Sequence, residues 1–217
     1  MLKKYNITPY LLVALSMLYI TFKITCNPLF FRQVTLYIPF TILKFKLNAS
    51  SFIYPAIYVI SDAIVAITGR KMAIAIILMG VLCDGIFSLT INKVSMLNIP
   101  SIMSSTELLN TTSINIIGSK MNALFINGCI AAIFAAIVEV VLFSILFRKL
   151  NNFFVSTVLS VVITLVIHNL LNDYSMLKNE PDVWEIIINN WIINISIMTL
   201  YALFISIGLK LINIYKK

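Results

Sequence analysis

Three carboxylic acids stand inside long apolar stretches of this chain: Asp62, Asp84 and Glu139. An ionisable group at membrane depth costs at least ~2.5 kcal/mol on insertion scales, and such groups face a protein interior or a wet cavity rather than lipid. Tyr54, Tyr58 and Asp62 follow one another at i, i+4 and i+8 and so share a helix face. Two phenol rings beside a carboxylate make a cradle for a flat, hydrogen-bonding ligand; the plainer alternative is a tyrosine-rich packing seam. Glu139 follows Gly128, Ala132 and Ala136, small residues four apart that let a second helix approach closely. Asn190 and Asn194 form another i, i+4 pair, with Asn189 beside them. His168 is the single histidine, Cys26, Cys83 and Cys129 are widely spaced, and no CxxC pair exists. Neither a metal site nor a nucleophile–base arrangement can be assembled from these residues, so no catalytic role and no cofactor is expected.

The elements that must position these groups are membrane helices. Hydrophobic residues make up 60% of the 217, and charged residues only 11%, against roughly 25% in soluble domains. A soluble fold of this size has nowhere to hide so much apolar surface. In lipid every backbone polar group must be paired internally, which leaves helices or closed barrels, and the apolar runs here are long enough for helices. Six spans are expected: Tyr10 to Cys26, Ser51 to Thr68, Met72 to Ile91, Asn122 to Phe147, Phe153 to Leu171 and Trp184 to Ile212. Asn27-Pro28 closes the first. Residues 29–48 are too interrupted for a span and are expected to form a loop with partial, re-entrant or strand-like structure. Residues 92–118, rich in Ser, Thr and Asn, are expected as a polar connection. The fold class is therefore all-α, a single membrane domain over residues 1–217.

Charge sets the orientation. With the amino terminus inside, the inner segments hold Lys3, Lys4, Arg70, Lys71, Arg148, Lys149, Lys210, Lys216 and Lys217, and no acid. The outer segments mix six basic residues with five acidic ones, Glu107, Asp173, Glu180, Asp182 and Glu185. By the positive-inside rule both termini are cytoplasmic. Trp184 and Trp191 suit the outer interface. The net charge of +8 is thus a topology signal and not a nucleic-acid surface. The chain has no GxxxxGK[ST] phosphate loop and no evident cleavable signal.

One run carries a resemblance. Phe52-Ile53-Tyr54-Pro55-Ala56-Ile57-Tyr58-Val59-Ile60-Ser61-Asp62, with Gly69 seven residues on, resembles the second-helix motif of the queuosine-precursor transporter family. Thr25-Cys26-Asn27 is similar to the Ser/Thr-x-Asn that ends the family's first helix. Glu139 before Val140-Val141-Leu142-Phe143 falls where the family has a Gln and an Asp before an apolar-Phe run, and Ser156-Thr157 opens the fifth span similarly. The chain departs from the pattern at Ala66, Ala136 and Thr164, and at Asn190 and Asn194, which stand where an Asp and a Lys are usual. Asp62 and Glu139 remain as the matching carboxylates.

The resemblance implies a six-helix inner-membrane importer of 7-deazaguanine bases such as preQ0, preQ1 or queuine, precursors of a modified tRNA nucleoside. It also implies an architecture similar to the membrane substrate-binding subunits of vitamin importers. The implied substrate-binding set is Asp62, Tyr58, Tyr54, Glu139, Asn190, Asn194 and Asn27. A guanine-like edge offers a ring N–H and an amino group side by side, and a carboxylate accepts both in charge-assisted bonds; Asp62 or Glu139 is expected to read that edge. The partners are the base and the bilayer, with self-association or a separate energising module open and no nucleic acid. Proton coupling, facilitated diffusion with trapping, and docking to an ATP-driven module are alternative energetics. The rival functions are import of another vitamin or nucleobase, and a non-transporting membrane assembly role.

Overall fold

The computed structural model describes residues 9–37 and 44–214, with side chains described as far as residue 211. Helix α1 (Pro9–Phe30) leads into two short strands, β1 (Gln33–Tyr37) and β2 (Lys44–Asn48), and a 3-10 turn (Ala49–Phe52). Then come α2 (Tyr54–Thr68), α3 (Arg70–Ser95), α4 (Ser105–Leu150) and α5 (Phe153–His168). A π-helical turn (Asn169–Asp173) joins α5 to the single-turn α6 (Tyr174–Leu177), and α7 (Val183–Ile214) ends the bundle. Six of these helical stretches are long and apolar enough to cross a membrane. The all-α, six-span architecture expected from hydropathy is the one observed.

Helix α2 is the axis of the bundle. It packs against α1, α3, α4, α5 and α7, and every residue from Pro55 to Ile67 is buried. Its sequence is apolar all round, which is what a helix surrounded by other helices requires. The main core gathers around it from Tyr19, Ile57, Val65, Ile77, Phe143, Val161, Leu165 and Met198. The turn from α2 to α3 is a single residue, Gly69, at φ +88°, a backbone conformation that side chains other than glycine's rarely adopt.

The strands resolve the ambiguous 29–48 stretch. β1 and β2 pair antiparallel, with Gln33 opposite Asn48 and Tyr37 opposite Lys44; residues 38–43 lie outside the described residues. The hairpin is tied to α7 by Asn189 Nδ2, which donates to the Lys46 carbonyl at 3.2 Å, and by Asn190 Oδ1, which accepts from the Asn48 N–H at 3.1 Å. A salt bridge from Lys46 to Asp182 (3.0 Å) closes over it at the surface.

Two boundaries differ from expectation. Pro28 lies within α1; it withholds the hydrogen bond that the Ile24 carbonyl would otherwise accept, and only Leu29 and Phe30 follow before the helix ends. More substantially, residues 105–118 are helical, so α4 is 46 residues long. Ser104 caps it: its Oγ accepts from the Glu107 N–H, and the Glu107 carboxylate accepts from the Ser104 N–H at 2.8 Å, a complete capping box. The polar stretch is held against α3 by Asn92 Nδ2, which donates to the Gly118 carbonyl at 3.1 Å.

Candidate functional site

The end of the bundle that carries the hairpin encloses a cavity of about 680 Å³, open mouth included. All the long elements reach it. α1 contributes Lys23, Cys26 and Asn27; the hairpin and 3-10 turn give Asn48, Ser50 and Ser51; α2 begins at its wall with Tyr54. α3 adds Asp84, α4 adds Gly128, Cys129 and Ala132, and α7 adds Asn190 and Asn194. The junction after α5 adds His168, Asn169, Asn172 and Asp173. A π-turn widens a helix by one residue and is frequent at functional sites. Here it turns Asn169, Asn172 and Asp173 toward the interior.

The wall holds two carboxyls. Asp173 is buried, and Asn172 Nδ2 donates to its Oδ1 (3.1 Å) while Asn190 Nδ2 donates to its Oδ2 (3.2 Å). Asn190 itself is fully engaged: its Oδ1 accepts from the Asn48 N–H and from Ser51 Oγ (3.0 Å). Gly128 makes room for this group, because a Cβ there would come within 2.7 Å of Asn172 Oδ1. Across the cavity Asp84 accepts from Asn27 Nδ2 at 2.5 Å, and Lys23 Nζ stands 3.8 Å from its other oxygen. The Tyr54 ring lies 4.7 Å from that of His168, tilted by 33°, and its hydroxyl meets the Tyr58 hydroxyl at 2.6 Å.

Several wall atoms have no partner among the described residues. Asn48 Nδ2 and Oδ1, His168 Nδ1, Asn169 Nδ2 and Asn194 Oδ1 are all buried and unpaired. Buried polar atoms are normally satisfied, and leaving one bare costs about 1–3 kcal/mol. Gathered on one cavity wall, they form a lining suited to a polar ligand.

A smaller cavity of about 360 Å³ lies beyond. It shares Lys23, Tyr54, Val81 and Ala132 with the first and extends past Tyr58 to Ser61 and Ala136. The Gly128–Ala132–Ala136 stripe borders both spaces: Gly128 and Ala132 face the larger cavity, Ala132 and Ala136 the smaller, and Ala136 also packs against the core. The small side chains leave space.

The expected site residues separate into two groups. Asn27, Tyr54, Asn190 and Asn194 come together on the larger cavity, and Tyr58 lines the smaller one. Asp62 and Glu139 line neither. Both have no exposed surface, and they lie carboxyl to carboxyl between α2 and α4. The expectation that one of them reads the edge of a ligand finds no contact with either cavity in this structure. Asp62 is eight residues beyond Tyr54, about 12 Å further along the helix axis, and is screened by Tyr58 and Ser61. The carboxyls at the cavity are Asp173 and Asp84. Lys23 and the π-turn residues Asn169, Asn172 and Asp173 stand outside the expected site set, Asp173 being read from the sequence only as an outer acid. An isolated lysine within an apolar span was a usable signal for the first; the inward turn of the others depends on the local π geometry, which no periodicity announces. Among the described residues no group of three or more His, Cys, Asp or Glu converges as a metal site.

Six helices long and apolar enough to cross a membrane, gathered around an internal polar cavity, define a multi-pass membrane protein. Residues 48–208 match the family described as "Putative vitamin uptake transporter", and the chain belongs to that family. The match runs from the end of β2 into α7 and so covers α2 to α6, most of α7 and the cavity wall they build. No curated protein and no solved structure matches the chain.

Proposed function

We propose that this protein imports a 7-deazaguanine-type base across the inner membrane, taking it into the larger cavity from the side opposite its cytoplasmic termini. The observation that carries the reading is the cavity wall itself, in which two buried carboxyls face unpaired amide and imidazole atoms beside an aromatic pair. Each Asp173 oxygen accepts one amide hydrogen bond, and a carboxylate has about four acceptor positions. It can therefore still accept the ring N–H and amino group of a guanine-like edge. Asn169, Asn194 and Asn48 offer donors and acceptors for the remaining rim, and the Tyr54–His168 pair offers a face for the flat ring. The membership of a vitamin uptake transporter family supports import of a small metabolite. A second reading, import of a different, acidic vitamin, draws on Lys23, whose 3.8 Å approach to Asp84 leaves a cation able to meet a ligand carboxylate. A non-transporting assembly role is disfavoured by the cavity that continues inward to Ser61.

The test uses cells unable to make or import deazaguanine bases. Expressing this chain and feeding each base in turn should restore the modified tRNA. Asp173→Asn should lower precursor uptake by about 10- to 100-fold, the equivalent of one charge-assisted hydrogen bond, with the amount of protein in the membrane unchanged. Rescue by no base would sink the deazaguanine reading, and competition by acidic vitamins alone would favour the second.

A further inference from the structure

The Asp62–Glu139 pair is unexplained by a ligand cavity from which it is excluded. The two carboxyls lie against each other, fully buried, at the meeting of α2, α4 and α5. Ser160 Oγ donates to Glu139 Oε1 at 3.2 Å. Both Asp62 oxygens and Glu139 Oε2 lack a hydrogen-bond partner among the described residues. Thr157 Oγ1, also without exposed surface and without a partner, abuts Asp62. Neither of the two ion pairs among the described residues includes Asp62 or Glu139. The titratable groups that face them are Tyr58 on α2 and Tyr19 on α1; the neighbours from α5 are the Thr157 and Ser160 hydroxyls.

Two carboxylates in contact, away from water and without a cation, carry a repulsion that the one hydroxyl donor, Ser160 Oγ, does not cancel. One cation held between them removes it. Neither of these two cavities includes the pair, so neither offers a larger ion space beside it. A proton needs none: bound to one carboxyl, it turns that group into a donor for the other. A route exists as well. The smaller cavity joins the larger at Lys23 and Tyr54 and ends at Ser61 and Ala136, one residue before Asp62 and three before Glu139. The hydroxyls of Tyr54 and Tyr58, 2.6 Å apart, bridge the two spaces along the same helix.

We propose that Asp62 and Glu139 form a proton site that loads from the ligand cavity through Tyr54 and Tyr58 and couples uptake to an inward proton gradient. One proton enters the pair as ligand is captured and leaves toward the opposite face as ligand is released, so the pair returns to its starting state each cycle. This rests on the import reading above, and the experiment separates the two.

The full chain is reconstituted in liposomes with the membrane potential clamped at zero, and labelled 7-cyano-7-deazaguanine is the probe. With the outside one pH unit more acid, the wild type should concentrate the base inside by up to about tenfold, the limit for one proton per ligand. Asp62→Asn and Glu139→Gln should abolish this accumulation while retaining exchange of base between preloaded liposomes and medium without a gradient. The infrared carbonyl stretch of a neutral carboxyl should be present in the wild type, shifted in each single variant, where an amide replaces the carboxylate partner, and lost when the two are combined, a readout that needs no ligand. A wild type without that band, exchange indifferent to the proton gradient, or accumulation driven instead by a sodium gradient would each overturn the coupling role alone. A wild type that exchanges no base at all overturns the import reading and the coupling with it.

Discussion

At the scale of single residues, the cavity assigns different tasks to side chains of the same type. Asn190 and Asn194 are a helical turn apart, yet Asn190 spends its whole amide on Asp173, Asn48 and Ser51, while Asn194 keeps a buried Oδ1 unpaired. The first positions, the second is available. The three cysteines divide likewise: Cys26 and Cys129 line the larger cavity, Cys83 lines neither. Thiols react through the thiolate, which needs water nearby. A charged, membrane-impermeant maleimide should therefore add to Cys129 and leave Cys83 unmodified, and a bound deazaguanine base should slow the Cys129 reaction. Peptide mass mapping reads both. Equal labelling of Cys83 and Cys129, with no protection by any base, would show that the cavity is not the wet compartment described.

At the scale of elements, the hairpin is held by buried amides rather than by its visible ion pair. The Lys46–Asp182 bridge is partly exposed, with side chains at 35% and 47%, and such pairs contribute between nothing and about 1 kcal/mol. Removing Asn190 instead strands the Asn48 N–H, Ser51 Oγ and one Asp173 oxygen. Asn190→Ala should destabilise the fold by about 1–3 kcal/mol and Lys46→Ala by far less, as judged by thermal unfolding in detergent. Equal shifts would mean that water at the cavity replaces Asn190 without loss. What the sequence reveals at this scale follows from how local each cause is. The six spans are legible because hydropathy over about 20 residues is itself the cause of insertion. The helical start of α4 is legible too, in Ser104-Ser105-Thr106-Glu107, but its Ser, Thr and Asn content points to a loop; packing on α3 prevails over propensity. The position of Asp173 is not legible. Its residue type and place suit a surface acid, and only the π-turn and its two asparagine partners bring it inside.

For the whole molecule, the decisive asymmetry is between the two ends of the bundle. At the hairpin end lie the cavity mouth, the acids Asp173 and Asp182, and the protruding start of α4. That helix is 46 residues long, about 69 Å at 1.5 Å per residue, over twice the ~30 Å hydrocarbon layer. At the other end the connections are minimal. Gly69 alone joins α2 to α3, and Asn151, in the left-handed conformation, and Asn152 join α4 to α5. Turns this short place Arg70, Lys71, Arg148 and Lys149 directly at the lipid boundary, where basic residues set orientation most strongly. Arg148 is held there, its Nε donating to the Ser144 carbonyl at 3.2 Å. A green fluorescent protein fused after Lys217 should accordingly fluoresce, and alkaline phosphatase fused within residues 97–103 should be active. Replacing all four basic residues with Gln should yield a mixed population, with part of the protein losing fluorescence at its carboxyl end. The hairpin-end cations Arg32, Lys44 and Lys46 are then opposed only by Lys3, Lys4, Lys210, Lys216 and Lys217 in the two terminal flanks, so the effect should be larger than for removing Lys3 and Lys4, which lie in a single flank. If the fourfold variant keeps a single orientation, the apolar spans and the long α4 would be fixing topology without the charges. The side on which the cavity opens would then have to be placed by direct labelling at Cys129.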